Sequence, residues 1–194
     1  WRGRVLDALT HQPLPRAEVH LKDGAGGALG PGARFSLSGV PGRPYSYQAR
    51  LAGYLTTDSV WTATPGPVVQ DILLRPLAVG TTQRLDNLQF EQGKAVLLPS
   101  SLPALQKLLW LMIDTPNLTI ELRGHTDNVG PPDKNVQLSE ERVAAVKAYL
   151  VTHGIPEARV TGTGLGGAQP LASNEQEATR QLNRRVEFRV TRIQ

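Results

Sequence analysis

Two domains, an all-β sandwich followed by an α/β unit on a mixed sheet with helices on one face, are predicted by three features of this 194-residue chain. Up to Arg75 the sequence runs in short alternating segments broken by turn residues, the period of two that strands impose. After "RPLAVGTTQR" strands alternate with helices. The length is enough for two separate cores, and 40% hydrophobic residues alongside 19 Gly and 15 Pro describe a folded chain rich in turns. The expected boundaries are 1–77 for the sandwich, 78–83 for a linker and 84–194 for the second domain.

In the first domain "RGRVLDA" is a strand, followed by the turn "LTHQPLP". In "AEVHLKD", Val19 and Leu21 face inward while His20 and Lys22 face out. "GAGGALGPGA" is a loop, being too rich in Gly for anything else. "RFSLSG" points Phe35 and Leu37 to one side, and Tyr45, Tyr47, Ala49 and Leu51 repeat the period of two, so both tyrosines belong to the core. "TTDSVWT" and "VVQDILL" complete six or seven strands. His11 and His20 fall in a turn and on an outward face. The pieces "PLPRAEV" and "LAGY", within "GRVLDALTHQPLPRAEVHL" and "RFSLSGVPGRPYSYQARLAGY", make residues 2–77 resemble the carboxypeptidase-regulatory-like (transthyretin-like) β-sandwich family. The resemblance implies a noncatalytic spacer or interaction module.

In the second domain "LDNLQF" reads as a strand. "SLPALQKLLWLMI" places Leu102, Leu105, Leu108, Leu109, Met112 and Ile113 at helical spacing, with Ser101 as the cap and Pro103 in the first turn, where its missing N–H is harmless. "LTIELRG" alternates Leu118, Ile120 and Leu122 with Thr119, Glu121 and Arg123. "NVQLSEERVAAVKAYLVTHG" sets Val136, Val143, Val146 and Leu150 on one side and stops at Gly154. "ARVTGTG" is a third strand, "NEQEATRQL" a short helix, and "RRVEFRVTRI" a last strand in which Val186, Phe188 and Val190 alternate with polar residues. Phe90 and Trp110 read as core.

Composition excludes several functions. Without Cys there are no disulfides, thiol nucleophiles or cysteine zinc sites. No run of about 18 apolar residues occurs, so no helix here is expected to insert in a membrane. The net charge of +4 divides as +3 over residues 1–80 and +1 over 81–194. Neither half has a dense basic run or aromatics interleaved with Arg, so nucleic acid is not the expected partner. The chain opens at Trp1 inside a predicted strand, which places a start Met and any leader upstream.

The stretch "RGHTDNVGPPDKNVQLSEERV" concentrates the chemistry. His125 and Asp127 lie two apart and could share a metal, but a third ligand is missing and no other His stands at ligand spacing, so no metal or other cofactor is expected. Paired carboxylates for hydrolysis are absent, and "GTGLGG" only loosely matches a dinucleotide loop, lacking a helix after it. The expectation is therefore no enzyme. A charge clamp fits better. Asp127 ends a strand, Arg142 lies on the next helix, and a β-loop-α connection can bring them together on a bipolar ligand, carboxylate to ammonium and guanidinium to carboxylate. The spacing equally allows Asp127 and Arg142 to pair with each other. His125 is expected to hydrogen-bond within its loop, Asn135 to cap the helix, and only one of Arg184 and Arg185 to face the pocket.

The combination "GHTDNVG", "N..LS..R", "QFEQGKAVLLPSS" and "NRRVEF" makes residues 84–193 resemble the OmpA-like peptidoglycan-binding domain. The resemblance implies noncatalytic capture of the meso-diaminopimelate residue of the peptidoglycan stem peptide. Asp127 would hold its ammonium and Arg142 its carboxylate, with Asn135, Arg184 and the backbone around Leu138 completing the pocket. Glu91, where many members carry Asp or another polar residue, would lie at the rim. The implied setting is the periplasm of a Gram-negative envelope, associated with the outer membrane, with other envelope proteins as partners of the sandwich. The rival readings are a stator-type anchor of a membrane motor and a cell-wall hydrolase.

Overall fold

A computed structural model describes residues 1–21 and 33–193, which divide into two units, Trp1–Leu77 and Ala78–Gln194. The glycine-rich loop predicted from residue 24, together with Lys22, lies outside the described residues except for Ala33.

In the first unit the alternating segments become β1 (Arg2–Asp7), β2 (Glu18–Leu21), β3 (Arg34–Ser36), β4 (Pro44–Arg50), β5 (Thr57–Thr62) and β6 (Ile72–Leu74). They form two three-stranded sheets, in the orders β3-β1-β6 and β2-β4-β5. The first is mixed, with β3 antiparallel and β6 parallel to β1. A single apolar cluster draws Val5, Phe35, Ile72 and Leu74 from one sheet and Val19 and Ala49 from the other. Trp1 stands edge-on to both Phe35 and Tyr47 with ring centroids 4.8 Å apart. Tyr47 and Leu51 pack against the cluster as their spacing predicts. Tyr45 instead stacks on Trp61, and its hydroxyl accepts the Val40 N–H at 2.9 Å. Asp7 secures the first turn by accepting the Leu9 and Thr10 N–H groups and the Tyr54 hydroxyl, each at 2.8 Å. These donors hold its carboxyl below the usual range.

The second unit runs β7 (Thr82–Arg84), α1 (Leu102–Asp114), β8 (Thr119–His125), α2 (Pro132–Thr152), β9 (Val160–Gly164), α3 (Glu177–Asn183) and β10 (Arg185–Arg192). The sheet order is β7-β10-β8-β9, with β8 and β9 parallel and β10 antiparallel to both β7 and β8. Leu118, Ile120, Leu122, Val186, Phe188 and Val190 are buried, following their alternation. α2 ends as predicted, with Gly154 at φ +94°.

Several local expectations are corrected. The first strand is Thr82–Arg84, which straddles the end of the predicted linker, and "LDNLQF" is a loop: Asp86 and Asn87 make a turn with Asn87 at φ +61°. Asp and Asn favour turns through their short polar side chains, which outweighs the apolar alternation of Leu85, Leu88 and Phe90. Ser101 makes no capping bond to α1. Its hydroxyl donates to the Gln89 carbonyl and accepts the Gln89 N–H, both at 2.7 Å, fastening that loop to the helix start. Trp110 is 48% exposed, and Leu102 and Ile113 also face out, because Ala104 and Leu111 join Leu105, Leu108, Leu109 and Met112 on the buried side. Val136 lies at the exposed edge of α2.

α2 approaches β8 and β9 at positions where the sheet has no side chain. A Cβ at Gly124 would stand 2.4 Å from the Ser139 carbonyl oxygen, and one at Gly162 would stand 2.3 Å from Val143 Cγ1. Gly124→Ala should therefore lower the urea stability of this unit by about 1–3 kcal/mol, the usual range for overpacking, without changing the apolar pattern. Residues 78–194 expressed alone should unfold in one cooperative transition, since this unit has its own core; a gradual, noncooperative melt would show that it depends on the first.

Candidate functional site

A cleft of about 930 Å³ lies where the loop after β7, the loop after β8, α2 and α3 meet. Periodicity explains which α2 residues reach it: Asn135, Leu138 and Arg142 are spaced by three and four and so share a helix face. Asp127, Arg184 and Phe90 line it from the other elements. Five of the six residues predicted for a ligand site are thus brought together. Glu91 is not in the lining; it pairs with Lys94 at 2.7 Å on the surface.

Asp127 is held by the loop between β8 and α2. Its Oδ1 accepts the Val129 N–H at 3.1 Å, and Oδ2 accepts Arg184 Nη1 at 2.8 Å. The loop "GTGLGG" presses against it from behind: a Cβ at Gly167 would stand 2.7 Å from the Asp127 carbonyl oxygen, and the Gly166 carbonyl accepts the Thr126 N–H at 2.9 Å. Those glycines therefore buttress the loop carrying Asp127. Asn135 lies within α2 rather than at its cap, because Pro131 and Pro132 start the helix earlier. Its amide donates to the Val129 carbonyl at 3.0 Å and more distantly to that of Asp127, closing the same loop.

Arg142 is 8% exposed. Its Nε donates to the Lys94 carbonyl at 3.2 Å, and its guanidinium lies 5.0 Å from the centre of the Phe90 ring. Phe90, expected in the core, is only half-buried and forms an aromatic wall of the cleft. Among the described residues no carboxylate lies within 4.0 Å of Arg142, so the Asp127–Arg142 pair that the spacing allowed does not form. Burial pushes the Arg142 pKa down, and the charge of Arg184 pushes it further, against the opposing pull of Asp127. Arg142 is a desolvated cation without a counter-charge at bonding distance.

Arg184 links two acids, Asp127 and Glu177 on α3. Asn183, fully buried, fixes the turn ahead of it by accepting the Leu171 and Ala172 N–H groups at 2.7 and 3.0 Å. Arg185 also borders the cleft, but its side chain turns to Glu187 at 2.6 Å and to the carbonyls of Asn183 and Gln169. The two side chains diverge: Arg184, at the end of α3, turns to Asp127 and Glu177, and Arg185, at the start of β10, turns to Glu187.

His125 makes no hydrogen bond within its loop. It is 1% exposed at the end of β8, and neither ring nitrogen has a partner among the described residues; Glu187 lies 3.8 Å from Nε2. Burial, followed by the charge of Arg185, lowers its pKa from 6.5 to about 4, with Glu187 opposing. Between those values the unfolded chain binds a proton that the folded chain refuses. Stability should therefore fall as pH drops from about 6.5 to 4, by on the order of 3 kcal/mol over the whole window. Urea titrations at several pH values should show this slope in the wild type and a flatter one in His125→Gln.

An open, arginine-rich cleft holding a desolvated guanidinium with no carboxylate partner among the described residues can accept an anionic group. Its sequence identifies the family: the OmpA family model matches residues 89–184. Outer membrane protein A of Bordetella avium is 34% identical over 142 residues, covering 69% of this chain and 73% of that protein. The chain belongs to the OmpA family. The peptidoglycan-binding protein ArfA of Mycobacterium tuberculosis is 33% identical over 99 residues, 51% of this chain and 30% of that protein. A MotB-like protein from Desulfovibrio vulgaris, of known structure, is 34% identical with a TM-score of 0.52, covering 57% of this chain and 73% of that one. Against other curated relatives this chain spans about a third to a half of their length.

Proposed function

We propose that this chain binds peptidoglycan without catalysis, through the meso-diaminopimelate of the stem peptide, and anchors an envelope protein to the cell wall. The observation that carries the reading is the half-built ion pair at Arg142: a buried guanidinium against Phe90, bordering the cleft that Asp127 also lines. A ligand carboxylate supplies the missing charge, and its neighbouring ammonium finds Asp127. Arg184, Asn135 and Leu138 line the space between. The name of the ArfA relative, a peptidoglycan-binding protein, supports the ligand class. That of the Bordetella avium relative supports an envelope setting, periplasmic and associated with the outer membrane. The first unit, read as a carboxypeptidase-regulatory-like sandwich, serves as a spacer or docks another envelope protein. A stator-type anchor is the second reading, favoured by the MotB-like structure; it uses the same grip.

Arg142→Ala and Asp127→Ala should each abolish co-sedimentation with purified sacculi, a loss of about 2–5 kcal/mol for breaking one half of a buried charge pair. Because Arg142 is itself buried, circular dichroism and Arg142→Lys must accompany the test. The lysine keeps the charge but not the fork, and should bind weakly while folding normally. Undiminished sedimentation of both alanine variants would refute the reading, and release of muropeptides by the wild type would favour a hydrolase.

Selectivity offers an independent check. Lysine-type stem peptides keep the ammonium but lack the second carboxylate, leaving Arg142 unpaired. Calorimetry should find them about 10- to 100-fold weaker than diaminopimelate peptides, with the difference erased in Arg142→Ala. Equal affinities in the wild type would mean that Arg142 does not read the carboxylate.

A further inference from the structure

We propose that Glu177 sets the ligand affinity of the cleft by drawing Arg184 away from Asp127. The inference rests on the reading of Asp127 as the ammonium acceptor. In the structure that acceptor is already engaged: Oδ2 by Arg184 at 2.8 Å and Oδ1 by the Val129 N–H at 3.1 Å. An incoming ammonium must share Oδ2 with a guanidinium or displace it. Arg142, which lines the same cleft, adds a further positive charge, and the charge of Arg184 contributes to lowering its pKa.

Glu177 is the one other acid in the cleft lining. It stands in the first turn of α3, and its second oxygen is tied to Arg180 at 3.1 Å, so it is stationed beside Arg184 rather than free to leave. Arg184 is thus shared between two carboxylates, and can keep one while it yields the other. With Glu177 present, its retreat leaves no guanidinium unpaired. Without Glu177, Asp127 becomes its only carboxylate partner among those in the structure, and the ligand ammonium must compete against a full ion pair. Glu177 therefore acts through Arg184 and is a positioning residue.

The test is calorimetry with two synthetic stem peptides, one carrying meso-diaminopimelate and the other 2-aminopimelate, which keeps the side-chain carboxyl carbon skeleton but ends without the far ammonium. Glu177→Gln should weaken the diaminopimelate peptide by about two- to fivefold, the range expected for an exposed charge partner, and leave the deaminated peptide unchanged or slightly tighter. In an Arg184→Gln background the same substitution should have no effect, because the competitor is gone. Equal weakening of both peptides, no weakening of either, or an effect that persists without Arg184 would overturn the proposal while leaving the anchoring reading intact. Failure of the wild type to bind either peptide would overturn both. If Arg184→Gln does not fold, the two-peptide comparison on the exposed Glu177 decides alone.

Discussion

The cleft depends on how closely α2 can lie against β8 and β9. Glycines at 124, 162 and 164 leave the sheet bare beneath the helix, so backbone and Ser139 approach where side chains would otherwise hold them apart. Ser139, fully buried, uses the closeness: its hydroxyl donates to the Val136 carbonyl and accepts the Gly166 N–H at 3.0 Å. Helix, sheet and the loop after β9 are therefore locked at one point. Arg142 lies one turn beyond Ser139, and the Asp127 loop is braced by the same glycine-rich segment, so one contact orients both charged groups.

Within this frame the protein treats two arginines in opposite ways. Arg142 and Arg185 are equally buried, each 8% exposed. Arg185 is matched by a carboxylate and two carbonyls, as buried cations ordinarily are. Arg142 has one carbonyl and the face of a phenyl ring. A ring face attracts a cation but replaces only part of its lost hydration. Such an imbalance weakens the folded state unless something else completes it, which is why the proposed ligand carboxylate is assigned to Arg142.

The sequence was most legible where periodicity is strong. Buried faces of β8 and β10, the stop of α2 at Gly154 and the convergence of Asn135, Leu138 and Arg142 all follow from spacing. It was least legible where a side chain bonds out of register. Ser101 has the composition of a cap but bonds to Gln89, twelve residues away, and His125 has the composition of a loop donor but is buried with no hydrogen-bond partner among the described residues. The pairing of Asp127 with Arg184 spans 57 residues and could not be read from either motif alone. One usable signal lies in the glycines: Gly162 and Gly164 stand two apart on one predicted strand and Gly124 ends another, a pattern that marks close approach of another backbone. Phe90 and Trp110 show the limit of hydrophobicity as a guide, because much of a folded protein's surface is still apolar and a single aromatic side chain can stand in a wall or on an outer face.

The strand through which the chain joins this sheet is only three residues long and lies at its edge. β7 pairs with β10 from Thr82 to Arg84, and the wall of the cleft begins at Arg84 itself. Tension applied upstream of Ala78 is thus delivered to a short edge pairing and, immediately past it, to the rim of the site. In the anchoring role proposed above, grip and tether would act in series, with β7 and the rim of the cleft adjoining in sequence. A pull strong enough to peel β7 from β10 would reach the wall of the cleft before it reached the sheet's core, making this strand the natural breaking point under load.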